Sequence, residues 1–236
     1  MFRLALLTLA LAGCGAADLG RGADEPDGTP GADAEAEWTD LLASLDGWHG
    51  YARPDVPAAW SLDGGVLTFT PGTDDGGDLV APGTWADFEL EAEWRVAPCG
   101  NSGVFYRGEE SAALAPIWRT ALEMQVLDNC HADGRYPSHR AGALYDLYAP
   151  AEDAAVAGGW NASRLVADGD RIEHWLNGAR VVSARQGSPG WDARVAVSKF
   201  RDGDAFPAYG TRRAGIIGLQ DHGDTLRVRA FRIRPL

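Results

Sequence analysis

The chain is 236 residues long, 45% hydrophobic, rich in glycine (30) and proline (13), and carries a formal net charge of −13. That length suffices for one sizeable hydrophobic core. The acidic balance excludes the basic footprint by which proteins engage nucleic-acid phosphates, so no nucleic-acid partner is expected.

The N-terminus carries a single positive charge, Arg3, followed by an apolar run over residues 4–12. The run is too short for a membrane-spanning helix, which needs about 20 residues. A charged start, an apolar middle and a small-residue end make a secretory signal. Leu11-Ala12-Gly13-Cys14 resembles the end of a bacterial lipoprotein signal. That resemblance implies lipidation at Cys14, export, and a membrane partner through the lipid anchor at the cell envelope; an ordinary signal with an incidental cysteine is the alternative. In a Gram-negative cell, Gly15 after the cysteine is compatible with the outer membrane. Residues 15–37 are rich in Gly, Ala, Asp, Glu and Pro without apolar periodicity, and read as a flexible tether. Residues 38–236 then form a single domain.

Within it, helical periodicity is nearly absent and turn signals are dense. A strand is expected at 66–70, after Asp63-Gly64-Gly65, and another at 87–96, where Phe88, Leu90, Ala92, Trp94 and Val96 alternate with charged residues. Strands follow at 103–107, 122–127 and 143–148. Residues 163–167 and 171–176 face each other across Asp168-Gly169-Asp170, and Asn177-Gly178 turns into 180–184. The last pair, 216–220 and 226–233, includes a register change near Ala230 that a bulge would explain. Many short strands with few helices mean a β-sandwich or barrel.

Residues 122–131, Leu-Glu-Met-Gln-Val-Leu-Asp-Asn-Cys-His, put Leu122, Met124 and Val126 on one face and Glu123, Gln125 and Leu127 on the other. The polar face could line a cleft or simply meet solvent. Cys99 and Cys130 flank this stretch in loops and could pair in an oxidising location. Their spacing does not suggest a metal site.

Six segments occur in order: Asn101-Ser102-Gly103-Val104-Phe105, Glu123-Met124-Gln125-Val126-Leu127-Asp128, Gly142-Ala143-Leu144-Tyr145, Glu173-His174-Trp175-Leu176-Asn177-Gly178, Ser198-Lys199-Phe200 and Gly218-Leu219-Gln220-Asp221-His222-Gly223. Together they resemble the bacterial 3-keto-disaccharide hydrolase family, over nearly all of residues 38–236. The resemblance implies an all-β, concanavalin-like jelly-roll sandwich. It also implies an exported enzyme whose carbohydrate substrate is a glucoside with its C3 hydroxyl oxidised to a ketone.

Such a ketone acidifies the neighbouring C2 hydrogen. Removal of that proton gives an enolate, which expels the C1 substituent; water then adds back, so the net reaction is hydrolysis. The site needs a base, an electrophile at the carbonyl oxygen, an acid for the leaving group, and sugar-binding groups. Candidates for the chemistry are Glu123, His222, His174 and Lys199. His174 is ambiguous, because by parity it joins Ile172 and Leu176 on a core face. Candidates for sugar contacts are Asn101, Arg107, Gln125, Gln220 and the aromatics Tyr145, Tyr148 and Trp160. A divalent metal ion could hold the enolate oxygen, with Glu123, His131 and His222 as candidate ligands. His139, Asp133 and Arg135 share the His131 loop, and Asp128 and Asp146 are further candidates. A conventional glycosidase of the same fold is one alternative, although Glu123-x-Gln125-x-x-Asp128 lacks the carboxylate set that class carries. A non-catalytic carbohydrate-binding module is another.

Overall fold

A computed structural model describes residues 36–236; Cys14 and the apolar N-terminus lie outside the described residues. The strands are β1 (Thr39–Asp40), β2 (His49–Gly50), β3 (Trp60–Asp63), β4 (Val66–Phe69), β5 (Leu79–Val80), β6 (Phe88–Val96), β7 (Asn101–Gly108), β8 (Leu122–Leu127), β9 (Asn161–Asp168), β10 (Arg171–Leu176), β11 (Ala179–Arg185), β12 (Ile216–Leu219) and β13 (Leu226–Pro235). They form two antiparallel sheets packed as a jelly-roll sandwich. The larger runs β11-β10-β9-β6-β13-β4-β3, with β1 also on β13; the smaller runs β2-β5-β12-β7-β8.

Strict alternation builds the interior. Phe88, Leu90, Ala92, Trp94 and Val96 of β6 are all buried, as are Leu165, Ala167 and Ile172 of the neighbouring strands. From the smaller sheet, Val104, Tyr106, Leu122, Met124, Val126, Ile217 and Leu219 meet them. Each large apolar side chain removed from water here stabilises by roughly 1.5–3 kcal/mol. A second cluster, Val80, Phe105, Ile117, Ala121 and Ile216, lies on the outer face of the smaller sheet. That face is therefore covered over part of its width.

The hairpin turns follow the sequence signals. Asn177 (φ 49°) and Gly178 (φ 85°) both occupy the left-handed region, as the two-residue turn between β10 and β11 requires. The register change in β13 is a bulge: pairing with β6 slips between Arg229 and Arg232, and Ala230 has φ 52°.

Residues 143–148 do not form the expected strand. Asp146 takes φ 60°, and the Leu147 and Tyr148 amides turn back onto the Leu144 carbonyl. The extended run ends there. Its first residues still pair with the edge of β8: Gly142 N–H donates to Gln125 O, Gln125 N–H to Ala143 O, and Tyr145 N–H to Glu123 O.

Candidate active site

The polar face of β8 does not meet open solvent. Glu123 and Gln125 are buried, because loops roof the outer face of the smaller sheet over them. Register explains the cluster beneath the roof. Gly103 of β7 pairs with Gln125 of β8, and Phe105 with Glu123, so Asn101, Gly103, Glu123 and Gln125 share one face. Gln220, just past β12, joins them. Glycine at 103 is required by close approach, since a Cβ there would collide with the Glu123 carboxylate.

The roof comes from three segments: a 3-10 turn (Ile117–Arg119) carrying Trp118, the segment carrying Tyr145, and a second 3-10 turn (Lys199–Arg201) carrying Lys199. Arg119 Nε donates to Ala205 O at 2.7 Å, tying the first turn to the third segment. Asp146 ties the second to the third. Its Oδ2 accepts from the Lys199 backbone N–H at 2.7 Å, and its Oδ1 lies 3.0 Å from His139 Nε2. The His139 ring stacks on Tyr145 at 4.4 Å. Asn101, Trp118, Glu123, Gln125, Tyr145, Lys199, Gln220 and His222 line a pocket of about 50 Å³.

Burial pushes the Glu123 carboxyl up to about 8; nearby Lys199 pulls the other way. Lys199 is an exposed residue, but its ammonium lies 4.2 Å from the Tyr145 ring centroid, 5.0 Å from Phe200 and 5.3 Å from Trp118. Burial there lowers its pKa, against the pull of Glu123. Tyr145 is held well above the ordinary phenol value, mainly by burial. Gln125 Nε2 donates to Asn101 Oδ1 at 2.7 Å, and Asn101 Nδ2 lies 3.4 Å from His222 Nε2 at the rim. The Oε1 atoms of Gln125 and Gln220 are buried and accept no hydrogen bond among the described residues. Both residues line the pocket.

Of the sequence candidates, Asn101, Glu123, Gln125, Tyr145, Lys199, Gln220 and His222 come together here. His174 does not. It is fully buried in the sandwich core, with Nδ1 3.0 Å from Gly142 O and Nε2 2.9 Å from the Tyr106 hydroxyl. A carbonyl only accepts, so Nδ1 carries the proton and Nε2 accepts from Tyr106. Burial lowers its pKa to about 4, so the ring is neutral at ordinary pH. Its strand parity, not the motif, indicates its place. Through Gly142 it holds the segment that pairs with β8.

Arg107 also leaves the site. With φ 53° at a β7 bulge, it turns its guanidinium inward to Gln186 Oε1 (2.7 Å) and Ala86 O (3.1 Å). Trp160 lies under Arg229, 4.1 Å from the ring centroid, on the outer face of the other sheet. Tyr148 packs against Trp191 and Arg194. Asp128 accepts from Cys130 N–H at the end of β8. His131 meets the His222 ring at 6.1 Å, but among the described residues no three His, Cys, Asp or Glu side chains gather as a metal-ligand group. The donor set Glu123–His131–His222 is thus not assembled.

Two contributors carry no sequence signal. Trp118 sits in a 3-10 turn without periodicity. Asp78, pushed up to about 7 by burial, accepts from Asp221 N–H at 3.0 Å and so fixes the loop carrying His222. Cys99 and Cys130 form a disulfide that joins the turn before β7 to the loop after β8.

The family model described as a 3-keto-alpha-glucoside-1,2-lyase-like domain matches residues 37–234. A protein named 3-keto-disaccharide hydrolase from Bacteroides thetaiotaomicron is 32% identical over 220 residues, covering 82% of this chain and 76% of that one. A solved structure from Parabacteroides distasonis, provisionally assigned as a glycosyl hydrolase, has a TM-score of 0.75 at 26% identity, covering 84% of this chain and 94% of that one. A carbohydrate-binding module from Bacillus subtilis has a TM-score of 0.50 at 12% identity, covering 80% of this chain and 95% of that one, a likeness of fold alone. With the family model spanning the whole sandwich, this chain belongs to the 3-keto-alpha-glucoside-1,2-lyase-like domain family.

Proposed function

We propose that the protein is a carbohydrate-cleaving enzyme that acts on 3-keto-glucosides by proton abstraction, elimination and hydration. The observation that carries this reading is the single carboxylate among the residues lining the pocket. A conventional glycosidase flanks the scissile bond with two carboxyl groups. Glu123 feels the charge of Asp78, which does not line the pocket, but has no second carboxyl across it. It has instead an ammonium and amides, which suit enolate chemistry.

In this mechanism ionised Glu123 takes the C2 proton of the keto sugar. The C–H bonding pair forms the C2–C3 double bond, and the carbonyl π pair moves to oxygen, where Lys199 stabilises the charge. Collapse of the enolate breaks the bond from C1 to the leaving oxygen, and His222 at the rim supplies the proton that oxygen needs. Water then adds to the unsaturated sugar. The unpartnered Gln125 and Gln220 oxygens accept from sugar hydroxyls, and Tyr145 and Trp118 offer ring faces to the pyranose. Binding sites for small molecules run from about 300 to 1,000 Å³, so a sugar enters a 50 Å³ pocket only as Lys199 and Trp118 swing aside.

A carboxyl near 8 makes a stronger base than an ordinary one, but only where it is ionised. Turnover of a 3-keto-glucoside should rise with pH as Glu123 ionises around 8, and fall again at higher pH where Lys199, whose pKa burial lowers, loses its charge. The test offers the purified domain a plain glucoside and its 3-keto form. Cleavage of the keto form alone supports the proposal; cleavage of the plain glucoside establishes a conventional glycosidase; binding of either without turnover makes it a binding module. Export with a lipid at Cys14 belongs to the same proposal, and the disulfide supports an oxidising location. Cys14→Ser should move the protein from the membrane to the soluble fraction.

A further inference from the structure

The outer face of the eight-stranded sheet holds a groove of about 600 Å³, larger than the catalytic pocket and on the opposite side of the sandwich. We propose that this groove is a second, non-catalytic site that binds a neutral oligosaccharide.

Two indoles bound it. Trp38 leads into β1, and Trp175 stands on β10. Between those strands lie β13, β6 and β9, so the two aromatics approach the groove from opposite sides. Both are held in place. Arg232 and Arg234 lie 4.7 and 4.8 Å from the Trp38 ring centroid. Arg164 and Arg180, on the strands either side, lie 5.3 and 5.8 Å from Trp175, whose Nε1 donates to Glu173 at 3.0 Å. Immobilised aromatic faces lose little freedom when a ligand stacks on them.

The floor identifies the ligand class. It is a ladder of charges, each already matched: Glu91 with Arg232 at 2.6 Å, Glu93 with Arg229 at 2.6 Å, and Glu89 with Arg164. Asp40 at the edge accepts from Leu42 N–H. A phosphate, a carboxylate or the acidic stretch preceding Trp38 would meet no uncompensated positive charge and would lie beside Asp40, Glu91 and Glu93. A neutral polyol meets no such repulsion: its hydroxyls bind the remaining lone pairs and N–H groups of intact pairs while its ring faces meet indole. Ala162, Gly178 and Ala230 add no bulk to the floor, which leaves room for sugar rings.

The test is calorimetric titration of the folded chain with maltotriose, cellotriose and laminaritriose, and with inorganic phosphate and an acidic peptide as charged probes. At least one trisaccharide should bind saturably. Trp175→Ala and Trp38→Ala should each weaken it roughly tenfold, the loss of one aromatic contact. Ala162→Gln, which fills the groove without removing an aromatic, should block it in a chain that keeps its melting temperature. All three variants should keep wild-type turnover of a small keto-glucoside, and Glu123→Gln should keep the binding. If no trisaccharide binds, if binding ignores Trp175 and Ala162, or if only charged probes bind in a Trp175-dependent way, the proposal is overturned. Should the catalytic proposal fail instead, turnover would be missing throughout while groove binding persisted.

Discussion

Glu123 works against the fold that holds it. Its folded pKa near 8 exceeds the carboxyl's usual value, so between about pH 4.5 and 8 the unfolded chain releases a proton that the folded chain keeps. Stability from this group is complete below the unfolded pKa and is lost as pH rises through 8; at pH 7 the loss is on the order of 3 kcal/mol. Glu123→Gln should therefore abolish turnover and remove this fall in stability between about pH 4.5 and 8, measured by denaturant titration across pH. Asp78 contributes a slope of the same sign up to about pH 7, which the variant keeps. A variant that keeps the wild-type slope over that range would contradict a buried carboxyl with a raised pKa. The identity of this residue was legible because β8 alternates. That its face is roofed was not, because the roof is made of turns without periodicity. For His174, parity with Ile172 and Leu176 pointed to the core, and the structure agrees with parity.

At the scale of elements, the site depends on two strands lying flush. Gly103 leaves the space that the Glu123 carboxylate fills, and an added methyl must displace that carboxylate. Gly103→Ala should lower kcat by roughly a hundredfold, the effect of an ångström-scale misplacement of a catalytic group. KM should change far less, because Gln125 and Gln220 stay in place; a steady-state comparison with wild type checks the split. Element boundaries were readable wherever turn chemistry was local, as at Asn177-Gly178. They were misread where one residue in an unusual conformation decided the outcome. Asp146 ends the run at 143–148, and Arg107 at its bulge turns away from a site that its neighbours face. Alternation alone does not reveal either event.

For the whole molecule, the disulfide closes a stretch of 31 residues that includes β7, β8 and the Trp118 turn. A loop of that length, once closed, stabilises the fold by roughly 3–4 kcal/mol through the unfolded chain. Reduction should lower the unfolding free energy by about that much. It should also shift activity more than the loss of a remote surface cross-link would, since Asn101 and Glu123 both lie within the stretch. A single-core sandwich or barrel was evident from strand density and length, and the family resemblance singled out the sandwich. The separation of aromatics between two faces was not: Trp118 and Trp160 look alike in sequence, yet one lines the pocket and the other lies beneath Arg229 on the far sheet.

The Lys199 ammonium lies over the ring of Tyr145 and near those of Phe200 and Trp118. Cation–ring contacts of this kind contribute roughly 0.5–2 kcal/mol. The pocket thus carries its own competitor for the aromatic surface that a pyranose would stack on. Under the proposed reaction, an incoming sugar would first evict a charge, and that displacement would subtract from apparent affinity. The evicted ammonium is also the cation that the proposed enolate would need at its oxygen. Weak ground-state binding and a charge delivered on arrival would then be two readings of a single side-chain movement.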